Sequence, residues 1–181
     1  MRFGIAASVV IFSLTCGAAH ADALKSRVVP ASATLKNTDA SWKAISTLGG
    51  IWGIAEDDPG YDKNFRISLQ AISNGTALVE TFGDPAQRVT QTIYHRDGNN
   101  IMATHYCAQG NQPRLILTPP VTLSEKLVFS FLDITNLASK NHSHLVRLEF
   151  KILDGNRIER IETYRQGNER EVSGLKLVRL Q

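Results

Sequence analysis

The chain has 181 residues, of which 43% are hydrophobic, with 20 basic and 17 acidic side chains and a formal net charge of +3. This length allows one domain with a substantial core. The charges are nearly balanced and form no long block of one sign, which argues against nucleic acid as a partner.

Residues 1–21 have the pattern of a secretory signal peptide. Arg2 gives a charged start, an apolar run extends from Ile5 to Leu14, and Ala19-His20-Ala21 is an A-x-A cleavage signal. The apolar run is too short for a retained membrane-spanning helix. We therefore expect an exported protein, periplasmic or extracellular, with no transmembrane segment after cleavage. The mature chain would keep Cys107 as its sole cysteine, which excludes an intramolecular disulfide.

Residues 22–37 show no sustained period and are predicted to be an N-terminal extension ahead of a single domain over residues 38–181. Asp39 is predicted to cap a short helix that ends at Gly49-Gly50. The apolar positions of this helix are Trp42, Ile45 and Leu48.

After Gly50 the hydrophobic period changes to two, which indicates β-strands separated by turn residues. Ser73-Asn74-Gly75 predicts a tight hairpin, because Asn followed by Gly tolerates positive φ angles. The predicted strands are 51–56, 65–71, 77–82, 89–95, 101–107, 115–118, 127–134, 145–153 and 172–180, with a further one in 157–165, where Ile158 and Ile161 are out of phase.

The predicted fold class is all-β, an antiparallel meander of about ten strands preceded by one short helix. Short links between consecutive strands favour pairing of neighbours. Closure into a barrel removes the two open edges that such a sheet would otherwise expose. The helix could cover one end of the barrel.

The motif Gly50-Ile51-Trp52, at the start of the first strand, resembles the glycine-x-tryptophan signature of lipocalins and their calycin relatives. In those barrels an arginine of the last strand packs across the tryptophan ring, and Arg179 occupies the matching strand here. The resemblance implies a cation-π contact between Trp52 and Arg179 that closes the barrel floor. It also implies carriage or sensing of a small apolar molecule in the barrel interior.

Two features differ from the lipocalin pattern. Lipocalins usually carry a disulfide, which this chain cannot form, and they have eight strands. About ten strands are more similar to the fatty-acid-binding or nitrobindin-like branches of calycin barrels. The segment from His105 to Pro113 also resembles that of an uncharacterised family of secreted bacterial proteins.

The stretch from Thr104 to Arg114 concentrates side chains that can act as acids, bases, nucleophiles or hydrogen-bonding groups beside one turn. On a strand, His105 and Cys107 share one face and Tyr106 lies on the other. Which face points inward stays open, because a one-residue change of register exchanges them. The predicted ligand-binding residues are His105, Tyr106, Cys107, Asn111, Gln112 and Arg114.

Several chemical interpretations of this stretch remain open. His105 could activate Cys107 as the nucleophile of a hydrolase, or the two could hold a metal with His95 or with His142 and His144. Haem with His105 as an axial donor is a third interpretation. The haem-ligating histidine of the nitrobindin-like branch lies near the C-terminus, however, and no histidine follows His144. A structural role for these side chains is the fourth.

The sequence therefore predicts an exported barrel that binds a small hydrophobic or amphipathic molecule, with polar contacts from the segment His105 to Arg114. The alternatives are a hydrolase, a metal or haem protein, and a structural or interaction domain without a ligand. The polar loop 135–144 could form a lid over the barrel mouth or a solvated surface loop. No residue is assigned as catalytic or metal-binding, and the sequence does not identify a cofactor.

Overall fold

The computed structural model describes residues 33–83, 89–117 and 126–181. The predicted signal peptide lies outside the described residues. One helix, α1 (Ala33–Ser46), precedes ten strands. The strands are β1 (Gly50–Ile54), β2 (Ile67–Ile72), β3 (Ala77–Phe82), β4 (Thr90–Asp97), β5 (Asn100–Tyr106), β6 (Gln112–Leu117), β7 (Leu127–Thr135), β8 (His144–Ile152), β9 (Arg157–Gln166) and β10 (Glu169–Arg179).

The ten strands form a closed barrel in which each strand pairs with its neighbours in the chain and β1 pairs with β10. All of these pairings are antiparallel. The predicted antiparallel meander barrel is thus confirmed, and it is consistent with a calycin-like architecture. Closure gives every strand a partner on both sides, although β1 covers only residues Leu177 to Arg179 of β10.

The alternation of the strands places one face of each inside the barrel. Trp52, Tyr94, Phe129 and Phe150 are the largest side chains that are fully buried. Aliphatic side chains from the strands fill the space between these rings. They include Ile67, Leu78, Ile101, Leu115, Leu127, Leu148, Ile158 and Leu177.

The two ends of the barrel differ. We call floor the end at which α1 lies, together with the turns at residues 73–76, 98–99 and 153–156. We call mouth the opposite end, which includes the loops 55–66, 107–111 and 136–143 and the turn 167–168. The helix packs Trp42 and Ile45 into the barrel core, and Leu48 of the turn that follows joins them. Among the described residues, no helix is both long and apolar enough to cross a membrane.

Helix α1 begins at Ala33, earlier than the predicted cap at Asp39. Alanine, leucine and lysine favour helix, and they extend it into the segment assigned from the sequence to an N-terminal extension. Asp39 therefore lies inside the helix, where its carboxylate accepts a hydrogen bond from Arg96 at 2.5 Å. This pair joins the helix to the floor end of β4.

The floor contact implied by the glycine-x-tryptophan motif is present. The Arg179 guanidinium lies 4.2 Å from the centroid of the Trp52 ring and donates to the carbonyls of Gly49 and Thr47, the latter at 2.8 Å. The Trp52 indole N–H donates to the Leu48 carbonyl at 2.9 Å. The arginine thus joins the end of the helix segment to the last strand.

The hairpin of β9 and β10 is paired continuously from Arg157 with Val178 to Gln166 with Glu169. Strand β9 is regular through the segment where Ile158 and Ile161 are out of phase. The two isoleucines are out of phase because the inward positions of the strand after Ile158 are polar rather than apolar. Near the mouth, residues 169–174 of β10 are exposed.

Candidate ligand-binding site

A cluster of polar side chains lies inside the barrel on the mouth side of the apolar core. Arg160 of β9 donates from Nε and Nη2 to Glu80 Oε1 of β3, at 3.1 and 2.6 Å. Tyr94 of β4 donates its hydroxyl to Glu80 Oε2 at 2.8 Å. Arg160 Nη1 lies 2.9 Å from Glu162 Oε1. The guanidinium therefore joins two carboxylates across the barrel.

Most of this cluster is shielded from water. The side chains of Arg160 and Glu80 are 2% and 1% exposed, whereas that of Glu162 is 14% exposed. Burial alone would lower the pKa of Arg160, but the carboxylates of Glu162 and Glu80 outweigh it and raise the pKa above the ordinary value. Burial and the neighbouring Glu80 raise the pKa of Tyr94 well above its ordinary value. Arg160 is thus a fixed cation and Tyr94 a neutral donor.

Two aromatic rings flank the guanidinium. The Arg160 carbon Cζ lies 4.7 Å from the centroid of Phe82 and 6.0 Å from that of Phe150. Cation-π attraction of this kind is strongest where water is excluded. The rings and carboxylates together keep Arg160 in one position.

His105 is buried inside the barrel beside this cluster, which settles the inward face of β5. Its Nδ1 lies 3.0 Å from the Thr92 hydroxyl, and its Nε2 lies 3.2 Å from the Tyr164 hydroxyl. Burial lowers the pKa of His105 to about 4. A neutral ring has one donor and one acceptor nitrogen, so one hydroxyl donates to it and the other accepts from it.

Cys107 follows β5 at the mouth and is partly buried. Burial, the charge of Glu162 and an interaction with Cys107 together raise the pKa of Tyr164. Both nitrogens of His105 are occupied by Thr92 and Tyr164, so the imidazole does not face the thiol as a base. The geometry gives the hydrolase alternative no nucleophile and base pair at these positions.

Two other predicted ligand-binding residues lie on the outside of the barrel wall. Tyr106 is 47% exposed. Arg114 forms a two-pronged ion pair with Asp133 of β7, in which its Nε donates to Oδ1 at 2.6 Å. The hydrogen bond to Asp133 raises the pKa of Arg114 and lowers that of Asp133. The structure does not bring these two residues together with His105.

Asn111 and Gln112 lie at the mouth and connect two loops. Asn111 is buried and donates from Nδ2 to the Ser143 carbonyl at 3.0 Å. Gln112 accepts a hydrogen bond from Thr135 at 3.0 Å. Asn136 donates to the Gly110 carbonyl at 2.5 Å. The loop 135–144 is therefore fastened to the loop 107–111 by polar contacts.

A recess of about 160 Å³ reaches the polar cluster from the mouth side. It is the place where solvent approaches the buried guanidinium. Phe82 and Leu175 supply apolar walls, and Arg160, Glu162 and Ser173 supply polar groups. The lining residues are Phe82, Arg160, Glu162, Ser173, Gly174 and Leu175; we call this cavity the mouth recess.

Two other hollows among the described residues offer less chemistry. A groove of about 680 Å³ follows the outside of the wall near Tyr61 and Leu180, and its Arg157 is already paired with Asp57 at 2.9 Å. A cavity of about 270 Å³ at the floor adjoins Trp52 and Arg179, whose guanidinium is occupied by backbone carbonyls. The mouth recess alone of these three reaches a buried charged cluster.

The metal alternative finds no site in the part of the chain that the structure describes, where no three His, Cys, Asp or Glu side chains lie together as a metal would require. His95 has its Nδ1 3.0 Å from the Arg96 carbonyl. His144 is buried, with Nδ1 2.8 Å from the His142 carbonyl and Nε2 3.4 Å from Arg165. Neither histidine completes a site with His105.

Sequence reasoning did not find most of the interior polar cluster. The missed residues are Glu80, Thr92, Tyr94, Arg160, Glu162 and Tyr164. A signal was present, because Glu80 alternates with the apolar Leu78 and Phe82, and Arg160 follows Ile158 by two positions. A charge on the apolar face of a strand indicates a buried partner.

No protein-family model matches the chain. No curated protein is similar to it at a significant level.

Proposed function

We propose that this protein binds a small amphipathic molecule, or the polar end of a larger one, in the mouth recess. The observation that carries the proposal is the meeting of apolar walls with a buried, hydrogen-bonded charge cluster in one cavity. Ligand sites are typically apolar hollows with a few convergent polar groups. Phe82 and Leu175 would contact the apolar part of the ligand, and Glu162 and Ser173 its polar part.

The volume of the mouth recess limits the size of the ligand that it can hold. A cavity of about 160 Å³ is smaller than the usual pocket for a drug-sized molecule. Cavities near 150 Å³ accept a group as large as benzene. A ring or a short branched chain with one polar substituent fits this space, whereas a long acyl chain would have to extend out of the mouth.

The location also supports binding. The floor is covered by α1 and by the contact of Arg179 with Trp52, and the recess lies at the opposite end. The exposed N-terminal part of β10 borders it. A ligand would therefore enter along the inner face of this strand.

The proposal can be tested by blocking the recess. Ser173 and Val172 are adjacent on β10 and point to opposite faces, since Ser173 pairs with Glu162 and lines the recess whereas Val172 is exposed. In a nuclear magnetic resonance titration with benzyl alcohol, we expect saturable shifts of the amides of residues 160–162 and 173–175. Ser173→Phe should abolish these shifts, because its ring would occupy the cavity.

Val172→Phe is the matched control, since it adds the same ring to the outer face of the same strand. We expect this variant to bind benzyl alcohol like the unaltered protein. Shifts that do not saturate, or that survive Ser173→Phe unchanged, would contradict binding in the recess.

A further inference from the structure

We infer that the mouth recess selects an organic cation, such as a protonated amine attached to an apolar group, with Glu162 as the recognising carboxylate. This inference rests on the proposed function and specifies the chemical class of its ligand. It follows from the charges of the buried cluster beside the recess, in which anions outnumber cations.

The buried cluster contains one cation and two anions. Arg160 is shared between Glu80 and Glu162, through Nε and Nη2 to the first and through Nη1 to the second. Glu80 is fully enclosed and also accepts from Tyr94. Glu162 is the carboxylate that reaches the recess, and it has one oxygen on Arg160. A ligand cation beside Glu162 would bring the cluster to two positive and two negative charges.

An anionic ligand would meet the opposite situation. Its partner would have to be Arg160, whose donors already serve two carboxylates. A third negative charge would then lie beside one guanidinium in a site with little water, where repulsion between like charges is weakly screened. The recess therefore disfavours carboxylates and phosphates.

The strand that borders the recess carries charge of the same sign. Glu169 and Glu171 alternate with Ser173 on β10 and so share its face, and both are exposed. Arg165 and Arg170 lie opposite each other in the register of β9 and β10, and both belong to the opposite face of the hairpin. Among the described residues of this hairpin, the face that continues the recess toward solvent is thus acidic, which attracts a cation toward the mouth.

The remaining groups near Glu162 are neutral or apolar. Tyr164 is an undissociated phenol, His105 is an uncharged imidazole at neutral pH, and Phe82 and Leu175 are apolar. The apolar walls require that the cation carry a hydrophobic body. A bare metal ion would meet a single carboxylate in the recess, that of Glu162, which is a poor set of ligands.

The test compares three probes of nearly equal shape, namely benzylammonium, benzyl alcohol and benzoate, by calorimetric titration at neutral pH. We expect benzylammonium to bind at least about tenfold more tightly than benzyl alcohol, as a charge-assisted hydrogen bond would produce, and benzoate to bind most weakly. Glu162→Gln should remove the advantage of benzylammonium over benzyl alcohol, and a cooperative urea unfolding curve shows that the variant is folded.

Glu159→Gln is the matched control, because Glu159 lies on the same strand and pairs with Lys151 at 2.7 Å on the outer wall. It removes one negative charge without changing the recess, so benzylammonium affinity should stay within about twofold. Equal binding of benzylammonium and benzyl alcohol, or tightest binding of benzoate, would overturn the inference while the proposed function stands. Failure of all three probes to bind at a site sensitive to Ser173→Phe would overturn both.

Discussion

At the scale of single residues, the interior is governed by how each buried polar group is satisfied. Arg160 and Glu80 are nearly without solvent contact, and an unpaired charge in that environment is very unfavourable. Tyr94, Phe82 and Phe150 complete the surroundings of the pair. The stability of the barrel should therefore depend strongly on keeping both charges together.

Arg160→Met tests this dependence. The substitution leaves Glu80 buried with only the Tyr94 hydroxyl as a donor, and we expect a loss of about 3–5 kcal/mol in the free energy of unfolding measured with urea. Arg160→Met combined with Glu80→Gln removes the stranded charge and keeps an acceptor for Tyr94. This double variant should recover most of the loss. A double variant that is no more stable than Arg160→Met alone would show that the two charges are not energetically coupled.

His105 predicts a dependence of stability on pH. Burial lowers its pKa to about 4 in the folded protein, whereas an unfolded histidine titrates near 6.5. Between these values the unfolded chain binds more protons, so falling pH favours unfolding. The contribution present above about pH 6.5 is lost progressively down to about pH 4, up to about 3 kcal/mol.

His105→Gln removes this titration and keeps a side chain that can donate and accept. Urea unfolding of both proteins at pH 7 and pH 4.5 should show that acid destabilises the unaltered protein more than the variant. Carboxylates elsewhere titrate equally in both proteins, so the difference between them reports His105. An equal effect of acid on the two proteins would contradict the burial of a neutral imidazole.

At the scale of elements, the floor motif explains why a glycine precedes Trp52. Gly50 has φ of +134°, and a Cβ there would lie 2.5 Å from the Gln181 carbonyl oxygen and 2.6 Å from Arg179 Nη1. The close approach of Arg179 to the start of β1 is therefore compatible only with glycine. The three residues of the motif form one structural unit.

Gly50→Ala should destabilise the protein by about 2 kcal/mol or more, because it combines an unfavourable φ with a backbone clash. Gly155→Ala, in the neighbouring floor turn where an added Cβ meets nothing within 4 Å, is the control. We expect its thermal midpoint to stay near that of the unaltered protein. Equal midpoints for the two variants would contradict this explanation of the motif.

Sequence patterns were sufficient for most elements and for the floor. Alternation located the strands to within a few residues, and Ser73, Asn74 and Gly75 all have positive φ, as the predicted hairpin requires. The pairing of Trp52 with Arg179 was implied by a family resemblance. These features are local or depend on a known motif, which makes them accessible to sequence reasoning.

The candidate site was much less predictable. Arg160 and Glu80 are 80 positions apart, and their contact depends on barrel closure rather than on local spacing. The concentration of reactive and polar side chains from His105 to Arg114 located the site only in part, because a strand sends alternate side chains to opposite sides of the wall. His105 lies inside, whereas Tyr106 and Arg114 lie outside.

At the scale of the whole molecule, the two ends of the barrel differ in the groups they contain. The helix, the large aromatic rings and the Arg179 contact lie on the floor side and in the core, while the polar cluster and the recess lie on the mouth side. A ligand of the proposed kind would meet side chains that already hold one another by hydrogen bonds and ion pairs. Binding would therefore require little rearrangement of the barrel.

The buried pair of Arg160 and Glu80 has a further consequence for how the chain closes on itself. A shift of one residue between neighbouring strands would move every side chain of the shifted strand to the other face. If β9 shifted in this way, Arg160 would leave the interior and Glu80 would remain there without its cation. A shift of two residues would keep the apolar side chains inside the barrel, but it would still separate these two charges. We therefore expect the pair to select the correct closed barrel from among its misregistered alternatives.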